Sequence, residues 1–281
     1  MMQEENRNLI QKEIKCLDKG FVRLVDVMGD DSSIVQAARV SYGKGTKTVS
    51  EDRSLIRYLM KHRHTSPFEM VEFKFHVKLP IFVARQWIRH RTANVNEYSG
   101  RYSEMKDDFY LPDLESIRTQ STVNKQSRSE ENIPDDISLT ILSKLKDTQS
   151  FLFSEYQEFL EKNLARELAR INLPLSTYTE WYWKIDLHNL FHFLKLRLAE
   201  EAQYEIRIYA EKIVELIKPF VPLAWEAFED FILYSLSFSR QEISILKNMI
   251  SKEIPNDDYL TSSGLSKRDI QEFKSKIYNM L

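Results

Sequence analysis

Residues 71–91 of the chain read VEFKFHVKLPIFVARQWIRHR. From Val71 to Leu79, apolar residues alternate with charged or polar ones, which is typical of a strand with one buried face and one solvent-facing side. Pro80 suits the first turn of a helix, and the helical stretch is predicted to continue to Arg91. A half-buried strand followed directly by a helix indicates a protein that contains both element types.

The same pattern analysis extends to both sides of this stretch. Residues 21–27 predict a short strand, and the aromatic-rich residues 177–185 predict another. A long amphipathic helix is predicted from about Ile137 to Ile171. Asp186 is a suitable N-cap for a second long helix that reaches about Ile217. Long helices therefore flank a small number of strands.

Three segments fall outside this pattern. Residues 1–17 are polar and predict an N-terminal helix or a mobile arm. Residues 112–136 are polar, Ser-rich and without periodicity, which predicts an excursion rather than a linker between domains. The last segment is charged and helical in pattern, with Ser266 as a suitable N-cap. We expect an arm at 1–17, one domain at 18–235 and a helical extension at 236–281.

The composition excludes several classes of protein. Lys and Arg total 40 against 42 Asp and Glu, and the net charge of −2 argues against a broadly basic nucleic-acid surface. The six glycines cannot form the GxGxxG of a Rossmann domain or a P-loop. The single cysteine, Cys16, excludes a disulfide framework and a multi-cysteine zinc site. No apolar stretch is long enough for a membrane span or signal peptide, so we expect a cytoplasmic protein.

The densest cluster of reactive side chains is RHRTANVNEYSGRY at residues 89–102. Guanidinium groups bind phosphate through paired hydrogen bonds, and amides or hydroxyls can recognise a base or a sugar. Gly100 lets the backbone approach a ligand closely. The alternative is a solvated, charged loop. Arg85 and Arg89 share their predicted helix with the apolar Phe82, so the cluster is tied to a core element, which favours a binding site.

Two further groups of residues carry weaker signals. His64, in an HTSPFE turn, could stack on a ligand ring, but an ordinary turn before a strand is the simpler interpretation. Arg170 and Arg197 lie in predicted helices among apolar residues, where an arginine is rarely buried without a partner. An ion pair of Arg197 with Glu200 or Glu201 explains it as well as a ligand does.

Metal and thiol chemistry receive little support. His188 and His192 are spaced i,i+4 and could in principle bind a metal ion. No HExxH motif and no third ligand accompanies them, so ordinary core or surface histidines are favoured. Cys16 lies in the predicted mobile arm, which is a poor place to hold a nucleophile. We therefore expect neither a metal site nor a catalytic thiol.

The stretch from Arg89 to Tyr102 resembles the signature of the flavin-dependent thymidylate synthases, RHRxxSxNExSxRY. Every fixed position matches except Asn94, where the signature has Ser. Four other stretches, residues 37–43, 64–69, 166–174 and 189–197, are similar to motifs of the same family and follow the same order. Together they span about residues 20–232.

The resemblance implies an enzyme that methylates dUMP to dTMP. Methylenetetrahydrofolate would donate the carbon, and FAD reduced by NADPH would donate the hydride. The implied fold is α/β (α+β), with a small mixed sheet packed with long helices in a single domain that is not a Rossmann fold. The implied assembly is a homotetramer with composite active sites. No nucleic acid, membrane or metal is expected as a partner.

The resemblance also assigns residues to each ligand. The dUMP site would contain Gln86, Trp87, Ile88, Arg89, Glu97, Tyr98, Ser99, Gly100, Arg101, Arg170 and Arg197. The FAD site would contain Ser41, Ser66, Arg89, His90, Arg91, Glu97, Asp186, Leu187, His188 and His192. His64 and Tyr102 would border the folate or nicotinamide. Arg197 would be catalytic, because a fixed cation at the pyrimidine edge stabilises negative charge on the ring and makes C5 nucleophilic.

Two other functions stay open from the residues alone. One is a metal-dependent hydrolase that uses His188 and His192. The other is a non-catalytic module that binds RNA or a nucleotide through residues 89–102. A yellow, metal-free protein would exclude the hydrolase, and flavin absorbance would count strongly against the binding module.

Overall fold

An antiparallel sheet organises the larger of two compact units, Met1–Leu233, within the part of the chain that the computed structural model describes, residues 4–40, 49–122, 127–249 and 256–280. Its five strands are paired in the order β1–β2–β3–β7–β4. A separate hairpin contains β5 and β6. The strands are β1 (Glu13–Cys16), β2 (Gly20–Met28), β3 (Glu72–Pro80), β4 (Asn94–Glu97), β5 (Arg118–Gln120), β6 (Arg128–Asn132) and β7 (Tyr178–Asp186).

The centre of the sheet is the β3–β7 pair. The strand predicted at 71–79 is confirmed as β3, and the aromatic-rich strand is confirmed as β7. Phe75 and Val77 are fully buried and lie opposite Trp183 and Trp181, which are also buried. Alternate residues of both strands lie on the other, more exposed face, as the two-residue period requires. The alternation seen in the sequence therefore specifies which face is covered by helices.

Helices cover the apolar face of this sheet. The described helices of the larger unit are α1 (Glu4–Arg7), α2 (Asp31–Val40), α3 (Val49–Lys61), α4 (Ile81–Trp87), α5 (Asp135–Glu161), α6 (Arg166–Ala169), α7 (Leu187–Arg197), α8 (Tyr204–Ile217) and α9 (Pro222–Phe228). α8 packs on β1 and β2, and α4 packs on β3. Ile206, Tyr209 and Ile213 recur at helical spacing on α8 and are fully buried. The predicted α+β class is confirmed, but the sheet expected to be mixed is antiparallel throughout its named strands, because each strand pairs with neighbours that run in the opposite direction.

The prediction of a mobile arm at residues 1–17 is wrong for its second half. Residues Glu13–Cys16 form β1, and Cys16 pairs with Gly20 of β2. The Cys16 side chain is 1% exposed. Burial raises the pKa of its thiol to about 12, so the thiol stays protonated at neutral pH. The polar composition hid this strand because an edge strand needs only backbone hydrogen bonds and one buried face.

Both predicted long helices are interrupted. The first ends at Glu161, and Asn163 adopts a φ of 62°, a left-handed conformation that terminates helices. The short α6 then carries Arg166–Ala169, and a 3₁₀ turn follows. The second helix is capped by Asp186 as predicted but ends at Arg197, and α8 begins at Tyr204. Continuous apolar spacing on both sides of each break concealed these turns in the sequence.

Two stretches predicted as irregular contain strands. The polar excursion at 112–136 includes the β5–β6 hairpin, in which Arg118 pairs with Asn132. The charged segment after Arg91, for which the sequence predicts no strand, includes β4, which pairs with β7 along its length. β4 exposes all four of its side chains. Neither segment has the apolar alternation by which a strand is recognised in a sequence.

The second unit, Tyr234–Leu281, contains helices joined by short irregular segments where it is described. Its helices are α10 (Arg240–Met249), α11 (Asp257–Ser262) and α12 (Lys267–Met280). The predicted N-cap is confirmed, because the backbone N–H of Asp269 donates to Oγ of Ser266 at 3.2 Å. In the described ranges of the whole chain, none of the helices has the length and apolarity needed to span a bilayer.

Candidate active site

Trp87, the last residue of α4, anchors the arginine-rich segment. Its indole is fully buried, and its ring centroid lies 5.1 Å from that of Trp183 and 4.8 Å from that of Phe193. Packing between such rings fixes the rotation of the helix. Arg85 and Arg89, on either side of Trp87, are therefore exposed. The structure gives the Trp87 side chain a packing role that orients its neighbours.

Arg197, at the end of α7, is a half-buried cation with a neutral partner. Its Nε donates a hydrogen bond to Nε2 of His90 at 3.1 Å. Burial, the charge of Arg197 and the neighbouring His192 lower the pKa of His90 to about 4, so the ring is neutral at pH 7 and accepts this bond. Burial and the nearby Arg89 also lower the pKa of Arg197.

Arg197 is also a candidate for an intramolecular ion pair. An ion pair with Glu200 or Glu201 would have neutralised the guanidinium. Among the described residues, neither carboxylate forms an ion pair with Arg197, and the only charge that perturbs its pKa is Arg89. Arg197 therefore keeps an unneutralised charge at the surface of the core, with its two Nη groups available to a ligand.

The chain after α4 folds back along the sheet and fixes the second half of the signature. Glu97 accepts a hydrogen bond from Oγ1 of the buried Thr179 at 2.7 Å. The backbone N–H of Tyr98 donates to the carbonyl of Glu180 at 2.8 Å. A tight turn closed on the carbonyl of Ser99 follows. Backbone pairing with β7 therefore holds a segment whose side chains point largely to solvent.

Gly100 brings this turn against the segment that carries Arg170. A Cβ atom at Gly100 would lie 3.1 Å from both Cδ and Nη1 of Arg170, and 2.7 Å from Sδ of Met105. Only glycine permits this approach without a shift of its neighbours. Next to it, Nε of Arg101 lies 3.4 Å from a carboxylate oxygen of Glu167. The fold thus unites Arg101 and Arg170, which are far apart in the sequence.

The N-terminus of α7 carries several of the predicted FAD residues. Asp186 accepts from the backbone N–H of Asn189 at 2.9 Å and from its Nδ2 at 2.7 Å. His188 and His192 lie one turn apart, and the ring centroid of His192 is 5.9 Å from that of His90. The structure therefore places this helix face beside the arginine segment.

Comparison with known proteins is consistent with this geometry. A model of the family described as thymidylate synthase complementing protein matches residues 23–223. Relatives named flavin-dependent thymidylate synthase include one from Treponema denticola, 54% identical over 95% of this chain and 98% of the relative. Another, from Thermus thermophilus, is 58% identical over 94% of this chain and 96% of the relative. The chain belongs to the flavin-dependent thymidylate synthases.

A solved structure supports this membership of the flavin-dependent thymidylate synthases. The UMP/dUMP methylase PolB from Streptomyces cacaoi, bound with 5-Br dUMP, is 34% identical to this chain with a TM-score of 0.71. The alignment covers 78% of this chain and 98% of that one. The same methylase bound with 5-Br UMP gives a TM-score of 0.70. The predicted family is therefore confirmed by sequence and by fold, and the chain is an enzyme of this type.

Some of the other residues that the family resemblance assigns to ligands lie on the turn at residues 64–69. The His64 ring stacks on that of Tyr58 with centroids 5.9 Å apart. Ser66 is exposed, and the 3₁₀ turn Phe68–Met70 that follows it packs on α7. The turn is therefore close to the helix that bears His188 and His192.

The rest of the assigned residues of this flavin-dependent thymidylate synthase differ in exposure. Tyr102 is 80% exposed and Ile88 is 40% exposed, whereas Leu187 is fully buried and donates its N–H to the carbonyl of Val71 at 2.8 Å. Arg91 is exposed. Ser41 lies outside the described residues. Leu187 thus has a structural role in this chain, while the exposed residues are open to a ligand.

The metal-binding alternative receives no support from the described ranges. Within them, no three His, Cys, Asp or Glu side chains come together as a metal site requires. Of the i,i+4 pair His188 and His192, His192 lies against the ring of His90, with the ring centroids 5.9 Å apart.

Sequence analysis missed three partners of the site. Thr179 supports Glu97 from a buried position on β7. Gln203 accepts a hydrogen bond from Gln86, and Glu205 accepts one from Gln203 at 2.8 Å. The signal in the sequence is Glu205, a glutamate in the first turn of an apolar helix. A carboxylate buried there requires hydrogen-bond donors. The identity of those donors depends on contacts between distant segments.

Proposed function

We propose that this chain converts dUMP to dTMP by reductive methylation, with methylenetetrahydrofolate as carbon donor and NADPH-reduced FAD as hydride source. Membership of the flavin-dependent thymidylate synthases supports the reaction type. The observation that carries the chemistry is the unneutralised, half-buried Arg197 with its Nε held by a neutral His90. A cation fixed in this way suits a ring on which negative charge develops.

The nucleotide would be held by its phosphate at one end and its ring at the other. Arg101 and Arg170 present guanidinium groups beside the Gly100 turn, where a phosphate could also approach the backbone. The assigned contacts that complete this dUMP site are Gln86, Trp87, Ile88, Arg89, Glu97, Tyr98 and Ser99, with Trp87 contributing through its backbone or through its neighbours. The methylase PolB, a solved relative, is bound with 5-Br dUMP.

Arg197 would activate the pyrimidine. Its Nη groups would donate hydrogen bonds to the ring oxygen on which negative charge accumulates, so that C5 gains electron density and attacks the one-carbon unit. Neutral His90 contributes by occupying Nε of Arg197 and fixing the plane of the guanidinium. A charged His90 would repel Arg197, so the lowered pKa of His90 is needed to keep the two side chains hydrogen-bonded.

The described residues fit FAD through the distribution of their charges. Arg89 and Arg91 are exposed, and neither forms an ion pair within the described residues, so both are available to a pyrophosphate. Ser66, His90, His188, His192 and Glu97 would add hydrogen bonds, and Asp186 and Leu187 would contribute from the start of α7. Ser41 is also assigned to this site. Bound FAD supplies the hydride once NADPH has reduced it.

The remaining ligands and the assembly complete the proposal. His64 and Tyr102 would border the folate or the nicotinamide. We place the enzyme in the cytoplasm as a homotetramer with composite sites, built from a domain at about 18–235 with a helical extension at 236–281. Two features support shared sites: β4 is an exposed sheet edge, and Leu168 and Ile171 beside Arg170 are 51% and 71% exposed.

The visible spectrum of the purified protein tests the proposal most directly. We expect flavin absorbance bands, no bound metal, and dTMP formation that requires dUMP, methylenetetrahydrofolate and NADPH together. A colourless protein that binds dUMP but forms no dTMP when FAD is added would contradict the proposal and favour a nucleotide-binding module.

A further inference from the structure

A chain of hydrogen bonds links the β5–β6 hairpin to α4. Arg128 Nη2, on β6, donates to Oε1 of Glu205 at 2.6 Å. Gln203 Nε2 donates to Oε2 of the same carboxylate at 2.8 Å, and Gln86 Nε2 donates to Oε1 of Gln203. Gln86 is the neighbour of the buried Trp87. The excursion is thereby connected to a residue of the proposed dUMP site through three side chains.

Glu205 is the fixed centre of this chain. Its side chain is buried, and both of its oxygens accept hydrogen bonds, the second donor to Oε1 being the hydroxyl of Tyr110 at 3.2 Å. Burial and the neighbouring Glu205 raise the pKa of Tyr110, so its hydroxyl remains a donor. Glu205 lies in the first turn of α8, where the helix dipole favours a negative charge. Arg128 also lies over the ring of Tyr204 at 4.9 Å.

The carboxylate of Glu205 determines the orientation of the side-chain amides of Gln203 and Gln86. An ionised carboxylate can only accept hydrogen bonds, so Gln203 must turn its nitrogen toward Glu205 and its oxygen toward Gln86. Gln86 must in turn donate through its nitrogen. Its Oε1 then has no donor among the described residues. A rotation of the Gln86 amide by half a turn would place two oxygens against each other.

We propose that Glu205 and Gln203 are positioning residues that fix the amide of Gln86 with its oxygen available as a hydrogen-bond acceptor for the nucleotide. The inference rests on the proposed function, because it takes Gln86 as part of the dUMP site. The amide oxygen of Gln86 would accept from an N–H or O–H donor of the nucleotide. Among these donors, the pyrimidine N3–H distinguishes uracil from bases that lack this proton. Neither Glu205 nor Gln203 touches the substrate.

Replacement of Gln203 tests the inference. A change at the buried Glu205 is less suitable, because it is more prone to make the protein misfold. We expect Gln203→Ala to lower kcat/KM for dUMP roughly five- to tenfold, the size of one lost hydrogen bond, mainly through KM. FAD content and kcat at saturating dUMP should change little. Gln203→Glu is the sharper variant: it has the same size but cannot donate to Glu205, so it should weaken dUMP binding at least as much as Gln203→Ala.

A double-mutant cycle separates positioning from general packing. If Gln203 acts through Gln86, then Gln86→Ala combined with Gln203→Ala should bind dUMP no more weakly than Gln86→Ala alone. Binding is measured by calorimetry, independently of turnover. Arg118→Ala is the matched control, because Arg118 lines the cleft that also contains Arg128, Gln203 and Glu205. Within the described residues, its side chain donates only to the carbonyl of Glu115.

The outcomes distinguish the two proposals. Parent enzyme that forms dTMP while Gln203→Ala and Gln203→Glu bind dUMP like the parent would overturn the positioning role and leave the proposed function intact. If the losses of dUMP affinity in Gln86→Ala and Gln203→Ala add up in the double variant, the positioning role is overturned as well. Parent protein that neither binds dUMP nor forms dTMP would overturn the proposed function, and the positioning role with it.

Discussion

Arg197 and Arg101 are both assigned to the proposed dUMP site, but the fold balances their charges differently. Arg197 is half-buried, its bonded partner is the neutral His90, and the charge of another arginine, Arg89, helps to lower its pKa. The side chain of Arg101 is 61% exposed and faces Glu167, itself 55% exposed, at 3.4 Å. One guanidinium is held in place with its charge unneutralised, and the other is held loosely by an exchangeable partner.

The contrast indicates different roles for the two arginines: Arg197 would activate the pyrimidine, and Arg101 would recognise the phosphate. An exposed ion pair such as Arg101–Glu167 contributes about 0–1 kcal/mol, so a phosphate can readily replace the carboxylate. In the described part of the chain no carboxylate pairs with Arg197, and water screens its field less because it is half-buried. A rigid cation suits a transition state, whereas a solvated cation suits capture of a charged ligand. We therefore expect changes at Arg197 to affect turnover and changes at Arg101 to affect substrate binding.

The largest effect is expected for Arg197→Lys. Lysine keeps the charge but loses the planar fork and the Nε bond to His90, so kcat should fall by about 10²- to 10³-fold. FAD content, measured by absorbance, should change little. Arg53→Lys is the control, because it alters an arginine of an exposed ion pair with Glu226. Turnover by Arg197→Lys within a few-fold of the parent would refute its catalytic assignment.

Arg101→Ala should weaken dUMP binding rather than slow the chemistry. Loss of a charge-assisted phosphate contact predicts a KM for dUMP that is about 10- to 100-fold higher, with kcat nearly retained at saturation. The effect should shrink as salt is raised, since Arg101 is exposed. Arg166→Ala is the control, because it removes another exposed ion pair, with Glu104, from the residue next to Glu167. Equal effects in both variants would contradict a specific phosphate contact.

Subunit mixing sharpens the comparison between the two arginines. If one subunit supplies Arg101 and another supplies Arg197, re-assembled mixtures of Arg101→Ala and Arg197→Ala contain some sites with both arginines intact. We expect dTMP formation above the level of either variant alone. Activity that stays at the level of the separate variants would argue that each site is built from one chain.

The neutral state of His90 predicts a dependence of stability on pH. The pKa of His90 is lowered in the folded state to about 4 from an unfolded value near 6.5. Below pH 6.5 the unfolded chain therefore binds a proton that the folded chain does not, and stability falls as the pH drops toward 4. Urea unfolding of the parent and of His90→Asn should diverge across this window. Parallel curves would contradict the lowered pKa.

The smallest effect on activity is expected for Cys16→Ala. The thiol is buried on β1 and its pKa is raised to about 12, so it cannot supply a thiolate near neutral pH. We expect dTMP formation close to the parent rate, with FAD and NADPH still required. Removal of a buried sulfur should lower the free energy of unfolding by about 1 kcal/mol. A folded, FAD-loaded variant without turnover would overturn the thiol-free reaction.

Much of the fold, and the family signature within the candidate site, could be predicted because the determining information is local. The alternation in residues 71–79, the capping carboxylate of Asp186 and the signature at residues 89–102 each depend on neighbours within one or two turns or strand lengths. The same local spacing placed Trp87 between Arg85 and Arg89. Family membership follows from such strings, and with it the expected ligands.

Tertiary structure alone decided the features whose partners lie far away in the chain. β1 and β4 are strands because β2 and β7 supply their backbone hydrogen bonds, and nothing in their own side chains indicates it. The charge of Arg197 is left unneutralised because His90, from a distant segment, takes the place of a carboxylate. Local sequence specifies what a segment can form, and burial with its long-range partners decides which of those forms is stable.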